Sequence, residues 1–149
     1  MSDTPTPQRI EAPTPADVDR IARQLLHAAA LVKDVTGSEM TDELSALALI
    51  QRVLDARVVE PEATYSLQAL GMAFGKIFIA NTPHYDWWMV EDEYGRDPAL
   101  RYRQTTLLAF PQTMISKRVE DGEDLDVHSL FDGLRERLEA IREGDFSGA

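Results

Sequence analysis

A chain of 149 residues fits one domain with a self-sufficient core, and a hydrophobic share of 44% with a charged share of 28% is ordinary for a globular protein. The absence of cysteine excludes disulfides, thiolate nucleophiles, iron–sulfur clusters and Cys-containing zinc sites. A net charge of −11 is repelled by phosphate backbones, so direct nucleic-acid binding is not expected and a basic protein is the partner that charge would suit. The charge is uneven, with ten acids against six bases in residues 1–60, six against six in 61–118 and ten against three in 119–149. No apolar run is long enough to suggest a membrane span. Residues 1–15 lack the basic and apolar regions of a signal peptide, which leads to the expectation of a cytoplasmic protein.

Residues 1–13, rich in Pro and Thr with few apolar side chains, are expected to form a disordered tail, followed by a single α+β domain over 14–144. The first helix starts at the N-cap Thr14, with Pro15 at its first position and Asp17 in its first turn. Val18, Ile21, Leu25, Ala28 and Val32 form its apolar stripe, and Gly37 closes it. Thr41 is expected to cap a second helix, with Asp42 and Glu43 in its first turn and Leu44, Leu47, Ile50 and Leu54 facing inward. A third helix spans about Thr64 to Ala80, with Tyr65, Leu70, Phe74, Ile77 and Phe78 on a wide apolar face. Gly71 and Gly75 lie four apart on it, and each costs about 1 kcal/mol relative to Ala. Another backbone passing close to that face would explain both.

The period then changes. Asp86–Tyr94 alternates and is aromatic enough for a strand. Gly95–Pro98 reads as a turn, and Ala99–Gln104 and Thr105–Phe110 as two further strands or one bent strand. Pro111 opens a short helix with Met114, Ile115 and Val119 inward. Asp126 caps a last helix from Val127 to about Glu143, striped by Val127, Leu130, Phe131, Leu134, Leu138 and Ile141. The fold class is therefore α+β, with about five helices on a small antiparallel sheet of two to three strands.

Familiar catalytic signatures are missing: there is no phosphate loop, Rossmann fingerprint, His-Glu-x-x-His or Gly-x-Ser-x-Gly. His27, His84 and His128 have no ligand spacing. The acidic run Glu120, Asp121, Glu123, Asp124, Asp126 departs from the EF-hand order, because Val119 stands where a ligand should be, and it reads as a solvated loop. No cofactor or metal is implied. The chemistry-bearing stretch is Trp87, Trp88, Glu91, Asp92, Glu93, Tyr94 and Arg96, with Arg103, Lys117 and Arg118 following. Glu91 and Glu93 would share one face of a strand and Asp92 the other. Such carboxylates can act as general acid and base or hold a divalent ion. They can equally pair with Arg96, Arg101, Arg103, Lys117 and Arg118 in an ion-pair network across the hairpin and the next helix. Trp87 and Trp88 would project to opposite faces, one in the core and the other partly exposed or covered by a helix; an exposed one beside charges would suit a protein interface.

Leu70–Gly71–Met72–Ala73–Phe74–Gly75, the run from Trp87 to Val90, Glu91–Asp92–Glu93–Tyr94–Gly95–Arg96–Asp97–Pro98–Ala99–Leu100, then Phe110–Pro111, Thr113–Met114–Ile115–Ser116–Lys117–Arg118 and Asp121–Gly122 resemble a bacterial domain-of-unknown-function family, number 3806, over roughly Ala63 to Ile141. The resemblance implies a small bacterial α+β domain and brings no activity or catalytic residue with it. Two functional expectations follow. The first is a non-enzymatic protein-binding module or adaptor, immunity- or antitoxin-like, using Trp87, Trp88, Glu91, Asp92, Glu93, Tyr94, Arg96, Arg103, Lys117 and Arg118. The second is a metal-assisted or acid–base hydrolase using Glu91, Asp92 and Glu93, with Arg103 or Lys117 holding an anion. A structural subunit of a larger assembly is a third possibility, and the sequence sets no oligomeric state.

Overall fold

Local signals fix the first long element. Thr14 caps α1 (Pro15–Thr36) through a reciprocal box in which its hydroxyl accepts from the Asp17 amide while the Asp17 carboxylate accepts from the Thr14 amide. Gly37, at φ 76°, closes the helix in the left-handed conformation. The computed structural model describes residues 8–147. After α1 come a 3₁₀ turn (Leu44–Ala46), α2 (Leu47–Asp55) and α3 (Thr64–Asn81). The hairpin β2 (Tyr85–Asp92) and β3 (Gly95–Tyr102) follows, then β4 (Leu108–Ala109), a 3₁₀ turn at Pro111–Thr113, α4 (Met114–Glu120) and α5 (Val127–Ser147).

The fold is α+β as expected, but the sheet has four antiparallel strands in the order β1-β2-β3-β4, not two to three. The extra edge strand is β1, Arg9–Glu11, which lies inside the stretch expected to be a disordered tail. Residues 1–7 of that stretch lie outside the described residues. Three residues carry too little periodicity to announce a strand, and only the partners Met89, Val90 and Glu91 make one of them.

The second helix also differs. Thr41 accepts a hydrogen bond from the Glu43 amide (3.3 Å) in a local turn, and the α-helical part begins later, at Leu47. Leu47, Ile50 and Val53 are its buried residues, whereas Leu44 is exposed. Gly95–Pro98 is not a turn. The loop is Glu93–Tyr94, and Gly95 opens β3 at φ 137°, a conformation that suits glycine. Pro98 sits in the strand where β4 does not reach, since β4 pairs only with Leu100 and Arg101, so the missing N–H leaves no gap on that side.

Behind the sheet, α3 is the central helix, with Leu67, Leu70, Phe74, Ile77 and Phe78 fully buried. The close approach expected at Gly71 and Gly75 is present. A Cβ at Gly71 would lie 2.4 Å from the Pro111 carbonyl oxygen, and one at Gly75 would lie 2.6 Å from the Trp87 ring and 2.7 Å from the Pro111 ring. These glycines let the Pro111 turn and β2 pack directly onto the helix. In α5 Val127, Leu130, Phe131, Leu134 and Leu138 are buried, but Ile141, expected inward, is exposed. Among the described residues no helix is long and apolar enough to cross a membrane.

Candidate functional site

The register of β2 against β3 sorts the hairpin into two faces. Tyr85, Trp87, Met89 and Glu91 stand opposite Tyr102, Leu100, Pro98 and Arg96, while Asp86, Trp88, Val90 and Asp92 stand opposite Arg101, Ala99, Asp97 and Gly95. Helices cover the first set, whose Tyr85, Trp87, Met89, Leu100 and Tyr102 pack into the core clusters. Trp88, Val90 and Ala99 belong to neither cluster.

At the covered face's outer end sits Arg96. Its guanidinium holds Asp17 with two bonds, Nη2 to Oδ2 at 2.6 Å and Nε to Oδ1 at 3.2 Å. It also donates to Glu11 (3.0 Å) and lies 3.7 Å from Glu91, which is bonded in turn to Arg9. The Arg96 carbonyl accepts from Arg20 at 3.2 Å. One side chain thus ties β1, the start of α1, β2 and β3 together. The bonds from Arg96, helped by those from Thr14 and opposed by burial, hold the Asp17 carboxyl well below the usual carboxylate range. Reciprocally, Asp17 pushes the Arg96 guanidinium up.

The expected ion-pair network therefore exists, but with other members. Arg96 and Glu91 take part, whereas Arg101, Arg103, Lys117 and Arg118 do not. Arg101 lies 4.4 Å above the Trp88 ring and donates to the carbonyls of Thr105 (2.6 Å) and Gln104 (3.0 Å). Arg103 adopts φ 48° and stacks 5.5 Å from the Tyr102 ring. Arg118 donates to the Met114 carbonyl within α4, and Lys117 is exposed. The acids Glu11 and Asp17, with Arg9, were not visible as site members in the sequence. Asp17 carried only the signal of a helix cap, which explained it locally.

Glu91, Asp92 and Glu93 do not converge. Glu91 joins the Arg96 network on the covered face, Asp92 accepts from the Tyr94 amide at 2.8 Å, and Glu93 is exposed in the turn. Glu93 does not share the face of Glu91, because β2 ends at Asp92. Tyr94, 88% exposed, stands at the tip. Among the described residues no group of three or more His, Asp or Glu is placed to hold a metal ion. Two clefts of about 550 Å³ lie away from the hairpin, one beside Leu25, Leu26, Met40 and Lys76 and one beside Arg57, Glu60 and Asp124.

The two tryptophans divide as the alternation requires. Trp87 faces the core, its ring against Gly75, and Trp88 lies on the other side, half-buried beneath Arg101. Around Trp88 the register gathers Ile10, Val90, Ala99 and Leu108, with Asp86, Asp92, Asp97 and Arg101 among them. Val90 and Ala99 are buried in the middle of this face.

Fold and site together define an α+β domain with one sheet face packed into the helical core and the other carrying Trp88, Asp86, Asp92 and Asp97. The family described as a domain of unknown function (DUF3806) matches residues 46–131, more than half of the chain, and the protein belongs to it. The match begins earlier than the resemblance over Ala63 to Ile141 suggested, taking in α2, and ends within α5. No curated protein matches the chain. A crystal structure from Bacteroides thetaiotaomicron VPI-5482 is similar in fold, with a TM-score of 0.82 at 15% identity over 92% of this chain. This chain spans 50% of the length of that structure.

Proposed function

We propose that the protein is a non-enzymatic adaptor that binds a basic protein segment on the open face of its sheet, in the bacterial cytoplasm. The observation that supports this reading is the Trp88 face: a half-buried tryptophan outside the core clusters, with Asp86, Asp92 and Asp97 on the same face. Arg101 is the one cation among these three acids, and it donates through Nε and Nη2 to the Thr105 and Gln104 carbonyls. The residual charge is acidic, in keeping with a chain of net charge −11, and selects a cationic partner. An aromatic ring amid aliphatic side chains with polar groups around it is the composition in which binding energy concentrates. The dispersal of Glu91, Asp92 and Glu93 favours this adaptor over a hydrolase built on those three. An immunity- or antitoxin-like role is one form such an adaptor takes.

The test uses synthetic peptides of one length that alternate apolar residues with either lysine or glutamate. Binding is followed by fluorescence of a Trp87→Phe variant, in which Trp88 alone reports. The lysine series is expected to shift the Trp88 emission saturably, with an affinity that falls as salt rises and that drops by about tenfold or more in Trp88→Ala, read by calorimetry. Equal response to both series, or an unmoved Trp88 emission, would overturn the proposal.

A further inference from the structure

Away from the Trp88 face, α1 carries two apolar stripes. Ile21, Ala28 and Val32 are buried in the core, while Ala22, Leu25, Leu26 and Ala29, at i, i+3, i+4 and i+7, line a cleft against α3. Met40 and Ala73 complete its apolar wall, and its volume is about 550 Å³. That volume lies within the range of about 300–1,000 Å³ typical of small-molecule sites. The wall is open to solvent: Leu26 is 69% exposed, so a molecule entering the cleft meets it directly.

Three polar residues complete the lining: Thr41, Asp42 and Lys76. Lys76 is the only charged residue of α3. It and Asp42 border one cleft and are both exposed, yet among the described residues neither takes part in an ion pair. The segment that carries Asp42 is tied down, because Asn81 Nδ2 donates to the Asp42 carbonyl at 2.9 Å and to the Ile77 carbonyl of α3 at 2.8 Å. The cleft thus offers one negative group and one positive group, separately placed beside an apolar wall, and both are reachable from solvent.

We propose that this cleft binds a small zwitterion with an apolar body, a free amino acid with an aliphatic or aromatic side chain. Near neutral pH such a molecule carries both charges. Lys76 meets its carboxylate, Asp42 meets its ammonium group, and its side chain lies on Leu25, Leu26 and Ala29. Every part of the ligand then answers a part of the lining, whereas an amine or an acid alone leaves one of the two charges unmatched. The site shares no residue with the Trp88 face, so neither proposal depends on the other.

L-Leucine and L-phenylalanine test it on the full chain, beside three controls that each lack one feature. 4-Methylpentanoate has no ammonium group, 3-methylbutylamine no carboxylate and glycine no apolar side chain. Binding is read by amide chemical-shift titration at equal ionic strength near neutral pH. At least one of the two amino acids is expected to shift Leu26, Ala29, Asp42, Ala73 and Lys76 saturably and to bind about tenfold or more tightly than every control. Lys76→Met is expected to weaken that binding by about tenfold or more and to abolish the preference over 3-methylbutylamine, and Asp42→Asn to abolish the preference over 4-methylpentanoate. Both positions are exposed, so the thermal midpoint is expected to stay at that of the parent. A control that binds as tightly as both amino acids, the absence of saturable shifts with either amino acid, or a loss in Lys76→Met no larger than in Lys117→Met, an exposed charge on α4 outside the cleft, would each overturn the proposal.

Discussion

The two faces of one β-hairpin use similar residues for opposite ends. On the covered face, Trp87 and Met89 are packed beneath α1 and α3, and Arg96 is ion-paired with Asp17, Glu11 and Glu91 at its margin. On the other face, Arg101 lies over Trp88, and Asp86, Asp92 and Asp97 share the face with the buried Val90 and Ala99. Charge next to tryptophan is therefore not by itself a site. It is structural at Arg96, where the partners come from within the chain, and the proposed binding role concerns the Trp88 face.

The sharpest way to break this comparison is to remove each tryptophan in turn. Trp87→Ala opens a hole against Gly75 and is expected to destabilise by about 3 kcal/mol, while Trp88→Ala is expected to cost less than about 1 kcal/mol, both by urea denaturation. Comparable losses would mean that the open face is a second core. The next effect comes from Gly71→Ala. Its new Cβ meets a backbone oxygen, which cannot swing aside as a side-chain end could, so the substitution is expected to cost about 1–3 kcal/mol despite alanine's better helix propensity.

A smaller, pH-specific effect sharpens the view of the Arg96 cluster. The Asp17 carboxyl is held below its unfolded value of about 3.9, so its contribution is complete above that value and is lost as pH falls through it toward the folded-state pKa. Asp17→Asn is expected to lower stability by about 1–3 kcal/mol at neutral pH, with the difference from the parent shrinking as pH falls from about 5 toward 2, measured by denaturation at each pH. A gap that stays constant with pH would show that Asp17 acts as a cap alone and not as the acid partner of Arg96.

Helix starts and stops were readable because they are local. Thr14, Pro15 and Asp17 announce α1, Gly37 ends it, and Asp126 caps α5 through its bond to the Ser129 amide. Gly71 and Gly75 were also legible, since two costly residues on one helix face imply a close neighbour, although not that the neighbour would be Pro111 and Trp87. The hairpin was displaced by two residues at its loop, because Gly95 and Pro98 are turn-formers by type and only strand pairing shows that one opens β3 and the other lies along it.

The sequence by itself determined the α+β class, most of each helix's apolar stripe (Val18, Leu44, Tyr65 and Ile141, expected inward, are exposed) and the opposed directions of Trp87 and Trp88, because these depend on spacing within about a dozen neighbouring residues. Only the tertiary structure decided that Arg9–Glu11 is a strand, that Arg96 pairs with Asp17 and Glu11 as well as with Glu91, and which tryptophan lies under the helices. The Arg96 bonds to Asp17 and Glu11 join residues 79 and 85 positions apart, and no periodicity in the chain records which distant carboxylate a guanidinium will meet.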